Sequence, residues 1–83
     1  MDFHVGQIVK AKAGRDKDGF FIITAVGEGY ALIVNGKTRR VENPKKKKLI
    51  HLAPTNSKAR EFATNREVKR SLTEFLKQSG DRH

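Results

Sequence analysis

The sequence predicts a mostly β protein: a small antiparallel barrel of about five strands followed by a C-terminal α-helix. Three observations predict it. Apolar runs of strand length recur between residues 5 and 52, separated by Gly-, Asn- and Asp-containing turns. Those runs are rich in β-branched and aromatic residues and alternate in places with lysine. Beyond residue 53 the apolar spacing changes to that of a helix, behind a capping signal. The chain of 83 residues allows one domain and one modest core. Residues 1–54 are assigned to the barrel, and residues 55–83 to a linker and a helix over about 65–78 that packs on it.

Residues 5–13 read as the first strand, with Val9, Ala11 and Ala13 on one face and Lys10 and Lys12 on the other. Gly14-Arg15-Asp16-Lys17-Asp18-Gly19 follows as a turn, because Gly and Asp tolerate positive φ or cap their own turns. Residues 20–26 form a second strand of buried type, and Gly27-Glu28-Gly29 a hairpin loop. Tyr30 to Val34 is the third strand. Asn35-Gly36 predicts a type I′ hairpin turn, which needs positive φ at both central residues. Lys37 to Glu42 is then the returning fourth strand, broken by Asn43-Pro44, and Lys48 to Leu52 the fifth. Residues 53–57 read as a linker, and 57–63 as a site for an extra helical turn around Phe62. Thr64-Asn65-Arg66-Glu67 matches a capping box. Val68, Leu72, Phe75 and Leu76 then make one apolar stripe, with Gly80 as a stop signal.

Lys and Arg number 18 against 9 Asp and Glu, a formal charge of +9. On so small a body such a field favours a polyanion, nucleic acid first and an anionic membrane second. The chain has no Cys, which rules out disulfides and cysteine-based metal sites. No secretory signal is legible at Met1-Asp2-Phe3-His4, and no apolar run reaches membrane-span length. The expected location is cytoplasmic, and the expected state a monomer without cofactor.

Val5-Gly6-Gln7-Ile8-Val9, leading through Gly14-Arg15-Asp16-Lys17-Asp18-Gly19 to a hydrophobic strand, resembles the KOW motif: strand, loop with a near-obligatory glycine (Gly14 here), strand. That motif occurs in ribosomal proteins and in transcription elongation factors of the NusG class. Asn35-Gly36-Lys37-Thr38-Arg39-Arg40-Val41, Asn43-Pro44 with the four lysines 45–48, and Ile50-His51-Leu52 extend the likeness. Over residues 4–52 the chain resembles the archaeal and eukaryotic large-subunit ribosomal protein family L-fourteen-e, and bacterial KOW-containing RNA-binding proteins that share the pattern. The resemblance implies an SH3-like barrel that binds RNA, ribosomal or otherwise structured. It gives the C-terminal helix no role.

Residues 37–48 hold seven cations, Lys37, Arg39, Arg40, Lys45, Lys46, Lys47 and Lys48, against one acid, Glu42. A charge run is often only a solvated surface. Here it lies between apolar strands, and a closed barrel would bring Lys10, Lys12, Arg15 and Lys17 near it. These eleven residues are the candidate RNA contacts. Neutralising phosphates releases counterions, and arginine adds bidentate geometry. Charge does not separate RNA from DNA; the resemblance does. Gly14, Asp16, Gly19, Asn35 and Gly36 are expected to shape the loops. Phe20, Phe21 and Tyr30 are expected mainly in the core, with one of the three rings exposed for stacking. Lys69, Arg70 and Lys77 are expected on a solvated helix face. His51 is expected to pack or lie at a rim, while His4 and His83 carry no signal.

No catalytic arrangement is visible. There is no histidine pair at metal spacing, no phosphate-cradling loop, and no base matched to Ser57, Ser71 or Ser79. The competing expectation is a protein-interaction module of the transcription or translation machinery, using the barrel and the apolar helix. A basic face across the loops favours RNA; an apolar or acidic groove favours protein. Membrane adhesion is disfavoured, because the cations come from strands and loops and not from a basic amphipathic helix.

Overall fold

The computed structural model describes residues 3–80; Met1, Asp2 and residues 81–83, His83 included, lie outside the described residues. Five strands form, β1 (Gln7–Ala11), β2 (Phe20–Gly27), β3 (Tyr30–Val34), β4 (Lys45–Lys48) and β5 (Leu52–Lys58), followed by helix α1 (Asn65–Gly80). The strands make one open sheet in the order β4-β3-β2-β1-β5, antiparallel throughout. This is the mostly β fold with a C-terminal helix that the sequence predicts, and it is consistent with an SH3-like barrel. The two edge strands are consecutive in the chain and joined by a single 3-10 turn, Leu49–His51. That turn is bonded at both ends: the Leu49 N–H donates to Gly29 and the His51 carbonyl accepts from Lys12. The sheet is thereby drawn round on itself.

Strand β2 supplies apolar side chains to both of its faces. On one face Phe21 and Ile23 join Val9, Ala11, Ala31, Ile33 and Leu52 in the barrel interior. On the other, Ile22 joins Ile8, Val34 and Ala59 against Val68 and Leu72 of α1, with Phe20 and Phe75 at the margin. Full burial of a side chain the size of Ile22 or Phe21 contributes roughly 1.5–3 kcal/mol. Leu76, read from its spacing as part of this stripe, is instead 48% exposed. The cluster ends at Phe75, whose ring lies 5.0 Å from that of Phe20.

Helix α1 starts where the capping box places it. The Thr64 hydroxyl accepts from the Glu67 N–H, and the Glu67 carboxylate accepts from the N–H groups of Ala63 and Thr64. Thr64→Ala is expected to lower stability by about 1 kcal/mol, read as a shifted urea midpoint at unchanged slope. No change would mean that docking alone holds the first turn.

Five expectations from sequence are corrected. Residues 48–52, expected as the fifth strand, are instead the last residue of β4, the 3-10 turn Leu49–His51 and the first residue of β5. Asn35-Gly36 is not a type I′ turn: Gly36 has φ +79, but Asp18 is the only non-glycine with positive φ among the described residues. The Asn35 side chain accepts from the N–H groups of Lys37 and Arg39, opening a wide loop over residues 35–44. Residues 37–42 are therefore loop, and the fourth strand is the lysine run itself. The segment expected as linker, 53–57, belongs to β5, so the barrel extends past residue 54 to Lys58. Pro54 lacks an N–H, which an edge strand tolerates. Residues 59–63 have no helical turn.

Candidate nucleic-acid interface

Strand register places the two basic loops together. Lys10 pairs with Phe20, Ile22 with Val34 and Ile33 with Lys45. The β1–β2 loop (residues 12–19) and the β3–β4 loop (35–44) therefore leave the same end of the sheet.

The loops are tied to each other and to the helix. Arg39 donates from Nη2 to Asp16 Oδ2 at 3.0 Å and from Nε to Oδ1 at 3.4 Å, a two-point grip across the loops. This pair is largely shielded, with side chains 28% and 10% exposed. At the far side, Asn65 of α1 accepts from the Val41 N–H at 2.8 Å and donates to Glu42 at 2.6 Å. That Asn65 bond, then Glu42's own backbone and Arg40, hold the Glu42 carboxyl below the usual carboxylate range. The carboxylate's share of the tie is fully present at neutral pH and weakens as pH falls through that lowered value, while the Asn65 bond to the Val41 N–H does not titrate. Gly14, at φ +81, keeps the β1–β2 loop clear of Lys47: a Cβ there would lie 2.9 Å from the Lys47 ammonium. Asp16 and Gly19 close the same loop through the Gly19 N–H to the Asp16 carbonyl.

The eleven cations expected as phosphate contacts separate by environment. Lys47 is corrected outright: it is 9% exposed, and its ammonium donates to the Ala13 carbonyl at 2.8 Å. It is a strut between β4 and the β1–β2 loop, unavailable to a ligand. Arg39 is engaged by Asp16, Arg40 by Glu42 at 3.1 Å and Lys10 by Asp18 at 3.9 Å. The last two pairs are exposed and worth little in water. Lys12, Arg15, Lys17 and Lys37 are exposed at the loop end and have no ion-pair partner among the described residues. Lys45 is half-buried beside them, whereas Lys46 and Lys48 point outward along β4 toward the opposite end. Of the aromatic candidates, Phe21 is core, while Phe20 and Tyr30 are half-buried.

Two residues matter more than their sequence context indicated. Asp16 is a clamp as well as a turn residue, and Asn65 anchors a loop 24 residues upstream. Neither pairing leaves a local sequence signal, since both join distant segments. No helix among the described residues is long and apolar enough to cross a membrane. The same residues contain no group of three or more His, Cys, Asp or Glu able to hold a metal ion. In comparisons with known proteins, no family model and no curated protein matches this chain.

Proposed function

We propose that this chain is an RNA-binding protein, ribosomal or ribosome-associated and cytoplasmic, that grips the phosphates of structured RNA through the basic loops at one end of its barrel. One observation carries the reading. Lys12, Arg15, Lys17 and Lys37 stand exposed, with no ion-pair partner among the described residues, on two loops whose backbones are already fixed by the Asp16–Arg39 grip and the Asn65 anchor. A loop whose backbone is already ordered meets phosphates at a lower ordering cost, leaving only the side chains to be fixed. The KOW resemblance supports RNA over DNA, and irregular loops suit recognition by shape. In this reading the protein binds as a monomer without cofactor and performs no catalysis. The groove between β5 and α1 supports the protein-interaction alternative weakly, because Arg60, Glu61, Glu67, Arg70 and Glu74 give it mixed charge.

The test is affinity for a structured RNA as a function of salt. Four to seven phosphate contacts predict a log–log slope of roughly −3 to −6. A flat dependence, or no binding at low salt, would reject the reading and favour a protein partner.

A further inference from the structure

Away from the loop end, the outward face of β3 and β4 holds an aromatic ring in a particular setting. Tyr30 begins β3 opposite Lys48, and Leu32 stands opposite Lys46. The Tyr30 ring lies against Gly27 across the hairpin: a Cβ on Gly27 would come within 2.4 Å of the ring carbon Cζ. Only glycine leaves the ring this seat. The Lys46 ammonium sits over the ring, 4.3 Å from its centroid.

We infer that Tyr30, seated on Gly27, is a stacking platform for one unpaired base of bound RNA, with Lys46 and Lys48 receiving the phosphates beside that base. This rests on the RNA-binding reading and adds to it a second, chemically different contact. Sites for unpaired strands combine an aromatic ring with cations that follow the backbone, and this face has both. A base paired in a helix has no free face to offer, so the ligand is a loop, bulge or end. The seat fixes the ring before the base arrives. Among the described residues the lysine over the ring has no ion-pair or hydrogen-bond partner, and a stacking base replaces its exposed cation–π contact while the ammonium moves to a phosphate. Strand rise puts Tyr30 roughly 13 Å from Val34, where the β3–β4 loop begins. A stem held by the loops would therefore present its unpaired nucleotides along β4.

The chain contains one Tyr and no Trp, so its intrinsic emission reports on this ring alone. The full chain would be titrated with three probes: an RNA hairpin with unpaired loop uridines, a fully paired RNA duplex, and inorganic polyphosphate. The hairpin is expected to quench Tyr30 emission in step with binding, corrected for absorption, while polyphosphate leaves it unchanged. Tyr30→Leu is expected to weaken hairpin binding by roughly 5- to 140-fold and leave duplex binding intact. Tyr30→Phe, which keeps the ring, is expected to hold hairpin affinity within about twofold. Hairpin binding without quenching, equal quenching by polyphosphate, or wild-type affinity in Tyr30→Leu would each overturn the platform and leave the RNA-binding reading standing. Absence of binding to either RNA by the wild type would remove both.

Discussion

Replacing Lys12, Arg15, Lys17 and Lys37 together with Ala is expected to weaken binding to a structured RNA on the order of a hundredfold. Four exposed charge contacts at about 0.7 kcal/mol each total about 2.8 kcal/mol, which is two decades of affinity. The salt slope is expected to become shallower by roughly three. These side chains are exposed and make no ion pairs among the described residues, so circular dichroism should show an intact fold. Arg70→Ala with Lys77→Ala, exposed on α1, is the control and should do much less. Equal losses from both sets would show that the +9 charge acts diffusely, with no defined face. Arg39→Ala belongs to neither set. It leaves the shielded Asp16 carboxylate without its partner, so its first effect falls on loop order and stability.

Gly36→Val is expected to be the most damaging single change to the fold considered, at about 3–5 kcal/mol. Gly36 is buried at φ +79, and a Cβ there would lie 2.7 Å from the Asn65 carbonyl and 2.8 Å from Lys69 Cγ. The left-handed conformation costs a branched residue about 1–3 kcal/mol, and forcing apart packed backbone adds a similar amount. For a chain of this size the melting temperature should fall by more than roughly 10 °C. A thermal melt followed at far-UV wavelengths reads this directly. A Tm within a few degrees of wild type would mean that α1 shifts past the new methyl groups at little cost.

Much of the barrel was legible because local and global signals agree there. Strands β1 to β3 are short, apolar and bounded by turn residues, and the Thr64–Glu67 reciprocity announces α1 within one turn. The failures lie where a side chain from elsewhere decides the backbone. Asn35-Gly36 has the composition of a two-residue turn, but Asn35 spends its side chain on the backbone N–H groups of Lys37 and Arg39, and Gly36 must sit under α1. Lys45 to Lys47 read as a basic loop and Lys48 as the start of the next strand, yet all four lysines pair with Tyr30 to Ile33 as one edge strand. One of them, Lys47, has its charge satisfied by a carbonyl beside the loop glycine, a pairing that no periodicity encodes. Residues 53–57 read as a linker, but they lie in β5, where the missing N–H of Pro54 is harmless on a strand paired on one side only. At the candidate site, sequence located the two basic loops. It could not tell the cations held by acids from those left free, because Asp16 and Arg39 are 23 residues apart.

Strand β2 serves two cores, and this sets an order of events during synthesis. The barrel leaves the ribosome before α1 does, and until Val68 and Leu72 follow, Ile8, Ile22 and Val34 have no cover from the helix. A nascent chain halted between β5 and α1 carries its sheet with one apolar face open to solvent, a surface for other chains to stick to. The helix is in that sense the barrel's own chaperone, arriving last and staying in place.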